Sequence, residues 1–125
     1  MKRSVILLVD DEAIILMSLK MELKRRYKQY TIDTVLNAEQ ALDVLAEKSD
    51  KIAIVISDWL LPGMKGDELM INLNDNYPEI KKIIVTGQAP DEVLLDINER
   101  ANLDSYILKP WNSTNLFSIL DPLLE

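Results

Sequence analysis

The chain has 125 residues, of which 48% are hydrophobic, so it can build one hydrophobic core, and we expect one domain over residues 1–125. A formal charge of −7 and no apolar run of membrane-spanning length argue for a cytoplasmic domain without direct nucleic-acid or membrane binding. The one dense basic run, Lys24-Arg25-Arg26 with Lys28, is expected to end a helix and not to form a binding patch. Because the chain has neither histidine nor cysteine, imidazole bases, Ser-His or Cys-His nucleophile pairs, disulfides and the usual zinc sites are excluded.

Short β-branched runs alternate with longer amphipathic stretches, which is typical of βαβ units around a parallel sheet. Predicted strands cover residues 4–9, 31–36, 52–57, 82–86 and 105–108. Predicted helices cover residues 12–28 and 67–77, with three more beginning near residues 38, 90 and 113. The second strand is the least apolar, so we expect it near a sheet edge, and the third is apolar enough for a central position.

Apolar stripes and capping residues accompany the predicted helices. Asn37 is the expected N-cap of the second helix, and Asn112 or Ser113 that of the last, whose end Pro122 should weaken. The stripes comprise Ile14, Met17 and Met21 along one face of the first helix, Ala38, Ala41, Leu42 and Leu45 in the second, and Leu116, Phe117 and Leu120 in the last.

Polar residues follow four of the predicted strands. Asp10-Asp11 follow the first, Asp58 the third, Thr86 ends the fourth, and Lys109 follows the fifth. In an open parallel sheet, ligands bind beyond the carboxyl ends of the strands, so these side chains are expected to share one pocket.

The chemistry of this set favours a phosphoryl group. The acidic run Asp10-Asp11-Glu12 alone could equally form a solvated turn or a helix cap. Three clustered carboxylates, however, need a compensating cation, and Mg²⁺ is the hard divalent ion that also accepts phosphate oxygens. Asp58 is the predicted nucleophile, Lys109 the point charge that pairs with a phosphoryl oxygen, and Thr86 a hydroxyl donor.

The set Asp10-Asp11, Asp58, Thr86 and Lys109-Pro110 closely resembles the receiver domain of two-component response regulators. The supporting strings are LLVDDE, DWLLPGMKGDEL, IIVTG and ANLDSYILKPW, and the resemblance covers essentially the whole chain. It implies an α/β, flavodoxin-like (βα)5 three-layer sandwich with a five-stranded parallel sheet in the order 2-1-3-4-5.

The resemblance also implies roles for individual residues. Asp58 would be the phosphoacceptor, and Asp10 and Asp11, with Asp58 and the backbone carbonyl of Trp59, would hold Mg²⁺, with Mn²⁺ as an alternative. The donor would be a sensor histidine kinase or a histidine phosphotransfer protein. The domain would accept phosphoryl on itself and lose it slowly, without being a turnover enzyme.

Further implications concern switching and output. Thr86 and Tyr106 resemble the family's switch pair, and the Lys109-Pro110 peptide is often cis in such domains. Switching would alter the surface of the fourth helix, fifth strand and fifth helix, controlling an output domain, a partner protein or a phosphorylation-dependent dimer. The residues expected on that surface are Val93, Leu94, Leu95, Ile97, Tyr106 and Phe117.

Two positions bear on how long a phosphoryl group would last. Leu60 lies two residues after Asp58, where fast-cycling receivers often have a polar residue, and Gln88 lies two after Thr86. Since leucine cannot hydrogen-bond an attacking water, slow autodephosphorylation is expected.

Two other functions use similar residues. A magnesium-dependent phosphohydrolase with an aspartyl nucleophile would normally need a second carboxylate just beyond Asp58, and the Trp59-Leu60-Leu61-Pro62 segment has none. A phosphorylation-independent interaction module of the same fold would have lost site residues, whereas the set here is complete.

Overall fold

The computed structural model describes residues 3–87 and 99–124. The strands are β1 (Val5–Val9), β2 (Thr31–Val35), β3 (Ile52–Asp58), β4 (Lys81–Thr86) and β5 (Ser105–Leu108). The helices are α1 (Ala13–Arg26), α2 (Ala38–Lys48), α3 (Gly66–Asn76), a short helical segment α4 at residues 99–101 and α5 (Ser113–Leu124), with a 3-10 turn at Ser49–Lys51.

The five strands form one parallel sheet in the order β2-β1-β3-β4-β5. This confirms the predicted flavodoxin-like topology, with β2 at one edge and β3 in the centre. β3 is longer than predicted by one residue, so that Asp58 is its last residue, paired in register with Val85.

Alternate residues of the central strands point to opposite faces of the sheet, as the strand geometry requires. Leu7 and Val55 pack with buried residues of α2 and α3. Leu8 and Ile56 pack on the other face with buried residues of α1 and α5. The result is the expected three-layer arrangement, in which all the strands end at the same edge.

Helix α1 buries a different face from the one marked by its predicted stripe. Leu16, Leu19 and Leu23 are buried. The stripe residues Ile14, Met17 and Met21 are 80%, 64% and 53% exposed. They do lie at helical spacing on one face, but this helix has apolar residues on more than one face, and spacing alone does not select the buried one.

The observed caps decide where the other helices begin. The Asn37 side chain accepts a hydrogen bond from the Gln40 amide at 2.8 Å, which confirms it as the N-cap of α2. Asn112, and not Ser113, caps α5, since its Oδ1 accepts from the Asn115 amide at 2.7 Å.

The stripes of α2 and α5 face the core as predicted, with Leu42 and Phe117 only partly buried. Pro122 lies inside α5, which continues to Leu124. Helix α3 begins at Gly66, one residue before its predicted start.

The predicted helix start near residue 90 and the surface residues Val93, Leu94, Leu95 and Ile97 lie outside the described residues. Within the described residues, no helix combines the length and the apolar character needed to span a membrane.

Candidate functional site

The carboxyl ends of four strands bring the predicted polar residues to one edge of the sheet. Asp10 directly follows β1, Asp58 ends β3, Thr86 ends β4, and Lys109 directly follows β5. Asp10, Asp58 and Thr86 are buried, and Lys109 is partly buried. The polar groups of the site therefore lie mostly below the protein surface.

Lys109 pairs with the carboxylates of the site. Its Nζ lies 3.0 Å from Asp10 Oδ2 and 3.3 Å from Asp58 Oδ2, with Glu12 Oε1 at 4.0 Å. Its backbone amide donates to the Thr86 carbonyl at 2.9 Å, which continues the pairing of β5 with β4. The Lys109-Pro110 peptide bond is cis.

Burial and neighbouring charges shift the pKa values of this group. Burial raises the pKa of Asp58, and the charge of Asp10 raises it further, although Lys109 and the Leu60 amide act in the opposite direction. For Lys109, burial lowers the pKa, but the hydrogen bond to Asp10 and the charge of Asp58 outweigh burial, so its pKa is raised overall. The charged form of Lys109 is thus stabilised. The negative charge of Asp58, in contrast, is not fully balanced by the positive charge and hydrogen-bond donors around it.

Four carboxylates converge closely enough to hold a metal ion. One oxygen from each of Asp10, Asp11, Glu12 and Asp58 lies within 4.8 Å of the others. Asp11 and Glu12 are exposed, whereas Asp10 and Asp58 are buried. Oxygen-only ligands fit a hard divalent cation such as Mg²⁺, so the donor set suits that ion. Glu12 was not predicted as a ligand, although its position beside Asp10-Asp11 was the available signal.

The loop after Asp58 is held against the strand by a close backbone contact. The Gly66 amide donates to the Trp59 carbonyl at 3.1 Å. A Cβ atom at Gly66 would lie 2.4 Å from the Asp58 carbonyl oxygen, so only glycine fits. The Trp59 carbonyl thus uses one of its two lone pairs within the protein.

The remaining predicted positions differ in exposure. Thr86 is 2% exposed, Tyr106 on the edge strand is 44% exposed, and Leu60 beside the site is 69% exposed. Gln88 lies outside the described residues.

With this geometry in view, comparison with known proteins is decisive. Residues 6–121 match the family model of the response regulator receiver domain. The chain belongs to that family. Receiver domains act in two-component signalling, which agrees with the resemblance seen in the sequence.

Relatives of this receiver domain include longer proteins. The hydrogenase transcriptional regulatory protein HoxA of Cupriavidus necator is 28% identical over 125 residues, covering 99% of this chain and 25% of HoxA. The sensor kinase CckA of Brucella abortus is 30% identical over 120 residues, covering 96% of this chain and 12% of CckA. The chain therefore spans a quarter or less of the length of these two curated relatives.

A solved structure supports the same assignment. The signal receiver domain of an HD domain-containing protein from Pseudomonas fluorescens Pf-5 is 31% identical, with a TM-score of 0.89. The similarity covers 98% of this chain and 94% of that one.

Proposed function

We propose that this receiver domain accepts a phosphoryl group on Asp58 from a phosphohistidine of a sensor histidine kinase or a histidine phosphotransfer protein. The main support for this proposal is the contact of Lys109 Nζ with Asp58 Oδ2 at 3.3 Å and with Asp10 Oδ2 at 3.0 Å. A buried carboxylate beside a fixed cation is suited to attack on an anionic phosphoryl group, whose charge must be neutralised. Such transfer would take place in the cytoplasm.

The chain's own groups would carry the transfer as follows. One Asp58 oxygen attacks phosphorus, and a P–O bond forms as the P–N bond of the phosphohistidine breaks. The imidazole leaves with a proton from solvent. Lys109 turns from Asp58 to a phosphoryl oxygen, and the Thr86 hydroxyl donates to another. The product is an aspartyl phosphate held at the site edge of the sheet.

Asp10, Asp11 and Asp58 would hold Mg²⁺, or alternatively Mn²⁺, with Glu12 as an additional carboxylate close by. The Trp59 carbonyl remains a candidate ligand, because its hydrogen bond with Gly66 leaves one lone pair. When bound, the ion would neutralise charge on the transferred phosphoryl group.

The conformational output would begin with Thr86 and Tyr106. A phosphoryl group adds about 1.5 to 2 negative charges and new acceptor oxygens, which would draw the Thr86 hydroxyl inward. Tyr106 would then turn from its exposed position, changing the surface of α4, β5 and α5. We propose that this surface controls an output domain, a partner protein or a dimer. Charge or alanine substitutions at its exposed positions should weaken partner binding, and unchanged binding would contradict this part of the proposal.

Leu60 would make the phosphorylated state long-lived. Its exposed side chain offers no hydrogen bond to a water attacking phosphorus. Leu60→Asn should therefore speed phosphoryl loss, and rapid loss unaffected by this change would contradict the assignment. Gln88 is the second position proposed to affect this rate.

We propose that the domain undergoes phosphorylation and slow autodephosphorylation without acting as a turnover enzyme by itself. A phosphohydrolase would need a further acid just after Asp58, and residues 59–65 contain none. A phosphorylation-independent module is the remaining alternative.

The deciding experiment is intact-mass measurement after incubation with acetyl phosphate and Mg²⁺, with chelator and Asp58→Asn as controls. A magnesium-dependent adduct of one phosphoryl group, absent from Asp58→Asn, is expected. No adduct on folded wild-type protein that binds Mg²⁺ would favour the phosphorylation-independent module.

A further inference from the structure

Glu22 of α1 accepts two hydrogen bonds from the segment that follows Lys109. The Trp111 Nε1–H group donates to Glu22 Oε1 at 3.3 Å. The Ser113 hydroxyl donates to Glu22 Oε2 at 3.4 Å. Both oxygens of Glu22 therefore receive a donor from the segment between β5 and α5, about 90 positions away in the sequence.

Trp111 also lines two spaces that adjoin the site. It lines a cavity of about 10 Å³ together with Asp10 and Asp58. It also lines a groove with Glu22, Lys109 and Pro110. Trp111 thus borders one space with the site carboxylates and another with Glu22 and Lys109.

The ammonium group of Lys109 is held by Asp10 and Asp58, and the backbone sets the point from which the side chain reaches them. Its side chain has four flexible carbons, so side-chain packing alone fixes the charge poorly. On the amino-terminal side the backbone is held by the 2.9 Å hydrogen bond from the Lys109 amide to the Thr86 carbonyl. On the other side, the first side-chain anchor is Trp111, two residues on, bonded to Glu22.

We propose that Glu22 is a positioning residue which, through Trp111, holds Lys109 at the distance from Asp58 that phosphoryl transfer requires. The inference rests on the proposed function, since it concerns the cation at the same site. Glu22 touches neither Asp58 nor the incoming phosphoryl group, and its effect passes through the 109–113 segment.

The test measures the rate of Asp58 phosphorylation by acetyl phosphate with Mg²⁺, followed by intact mass. Glu22→Ala and Trp111→Phe each remove the indole hydrogen bond and should slow the reaction about three- to tenfold. Glu22→Gln should keep at least half of the wild-type rate, because its amide oxygen accepts from Trp111 and its amide nitrogen can donate to Ser113. Ser18→Ala, in the same groove, is the matched control and should match wild type.

A second measurement separates positioning from a general structural role. In a Lys109→Ala background, followed over hours, Glu22→Ala should cause no further slowing, because the cation it positions is absent. Trp111→Phe provides the same comparison if Glu22→Ala does not fold, since the phenyl ring keeps much of the packing.

The outcomes are distinct. An unphosphorylated wild type would reject the proposed function itself. A phosphorylated wild type with a normal rate in Glu22→Ala and Trp111→Phe would overturn only the inference about Glu22. Slowing of equal size with and without Lys109, or a loss in Glu22→Gln as large as in Glu22→Ala, would also overturn it.

Discussion

Polar clusters at the two ends of the sheet differ in how well their charges are compensated. At the site edge, Asp10 and Asp58 both pair with the ammonium group of Lys109, and burial raises the pKa of Asp58. At the opposite end, where α1 and α5 terminate, Asp121 accepts from Arg26 Nε at 2.8 Å and from the Tyr27 hydroxyl at 2.6 Å.

The pKa of Asp121 is shifted in the opposite direction from that of Asp58. Hydrogen bonds from Arg26 and Tyr27 lower the pKa of Asp121 to about 2. The guanidinium carbon of Arg26 also lies 4.4 Å from the centroid of the Phe117 ring, so Arg26 makes a cation–π contact besides its ion pair. The Asp121 cluster therefore favours folding, whereas the site edge retains an under-compensated carboxylate that a metal ion and a phosphoryl group can use. The functional carboxylates and the stabilising Asp121 cluster therefore lie at opposite ends of the strands.

The largest expected effect tests how tightly the site edge holds the Asp58 backbone. Gly66→Ala would place a Cβ atom 2.4 Å from the Asp58 carbonyl oxygen and 2.9 Å from Trp59 Cα. Because both neighbours are backbone atoms, we expect a loss of about 3 kcal/mol in the free energy of unfolding, measured by urea denaturation. Gly87→Ala is the matched control, since no described residue lies within 4 Å of its added Cβ, and it should change stability by less than about 0.5 kcal/mol. Equal effects of the two changes would refute the packing argument.

The next effect concerns the cation at the site. Lys109→Met keeps a similar chain length but leaves Asp10 and Asp58 without their shared partner, so metal-free protein should lose about 1 to 2 kcal/mol of stability. Mg²⁺ should restore part of this loss, because it binds the same carboxylates. Denaturation with chelator and with Mg²⁺ measures both values. A loss that Mg²⁺ leaves unchanged would show that Lys109 stabilises the fold by packing alone.

Asp58→Asn should change stability in the opposite direction. It removes the under-compensated charge, so metal-free protein should gain about 1 kcal/mol at neutral pH. Since the pKa of Asp58 is raised in the fold, the wild-type penalty is present above that raised pKa and absent below the ordinary value of 3.8. The advantage of Asp58→Asn should therefore shrink as the pH falls. A variant less stable than wild type at neutral pH would contradict the comparison between the two ends.

The smallest effect belongs to the opposite end of the sheet. Asp121→Asn should lower stability at neutral pH, because it removes a charge that Arg26 and Tyr27 stabilise. The pKa of Asp121 is lowered, so its contribution is fully present above the ordinary value of 3.8 and is lost as the pH falls through about 2. The difference between wild type and Asp121→Asn should therefore close with acid. A difference that stays constant from neutral pH to pH 2 would count against the charge interaction.

Much of the site could be predicted from the sequence because parallel strands all end at one edge of the sheet. The apolar runs before Asp10, Asp58 and Lys109 predict strands, and their order in the chain sends each strand end in the same direction. The structure brings these three side chains within hydrogen-bonding or ion-pairing distance. Local patterns also predicted the Asn37 cap, because a capping hydrogen bond spans only three residues.

Tertiary structure decided the features for which the local pattern allowed more than one answer. Helix α1 has apolar residues on two faces, and only its packing on the sheet buried Leu19 and exposed Met17. The pairing of Glu22 with Trp111 depends on how α1 packs beside the segment between β5 and α5, and no sequence spacing encodes that position. The sequence by itself therefore determined the strands, their common edge and most of the polar residues that meet there, though not Glu12. The tertiary structure determined which helix face is buried and which distant side chains support Lys109, because burial and long-range pairing arise only when the layers pack together.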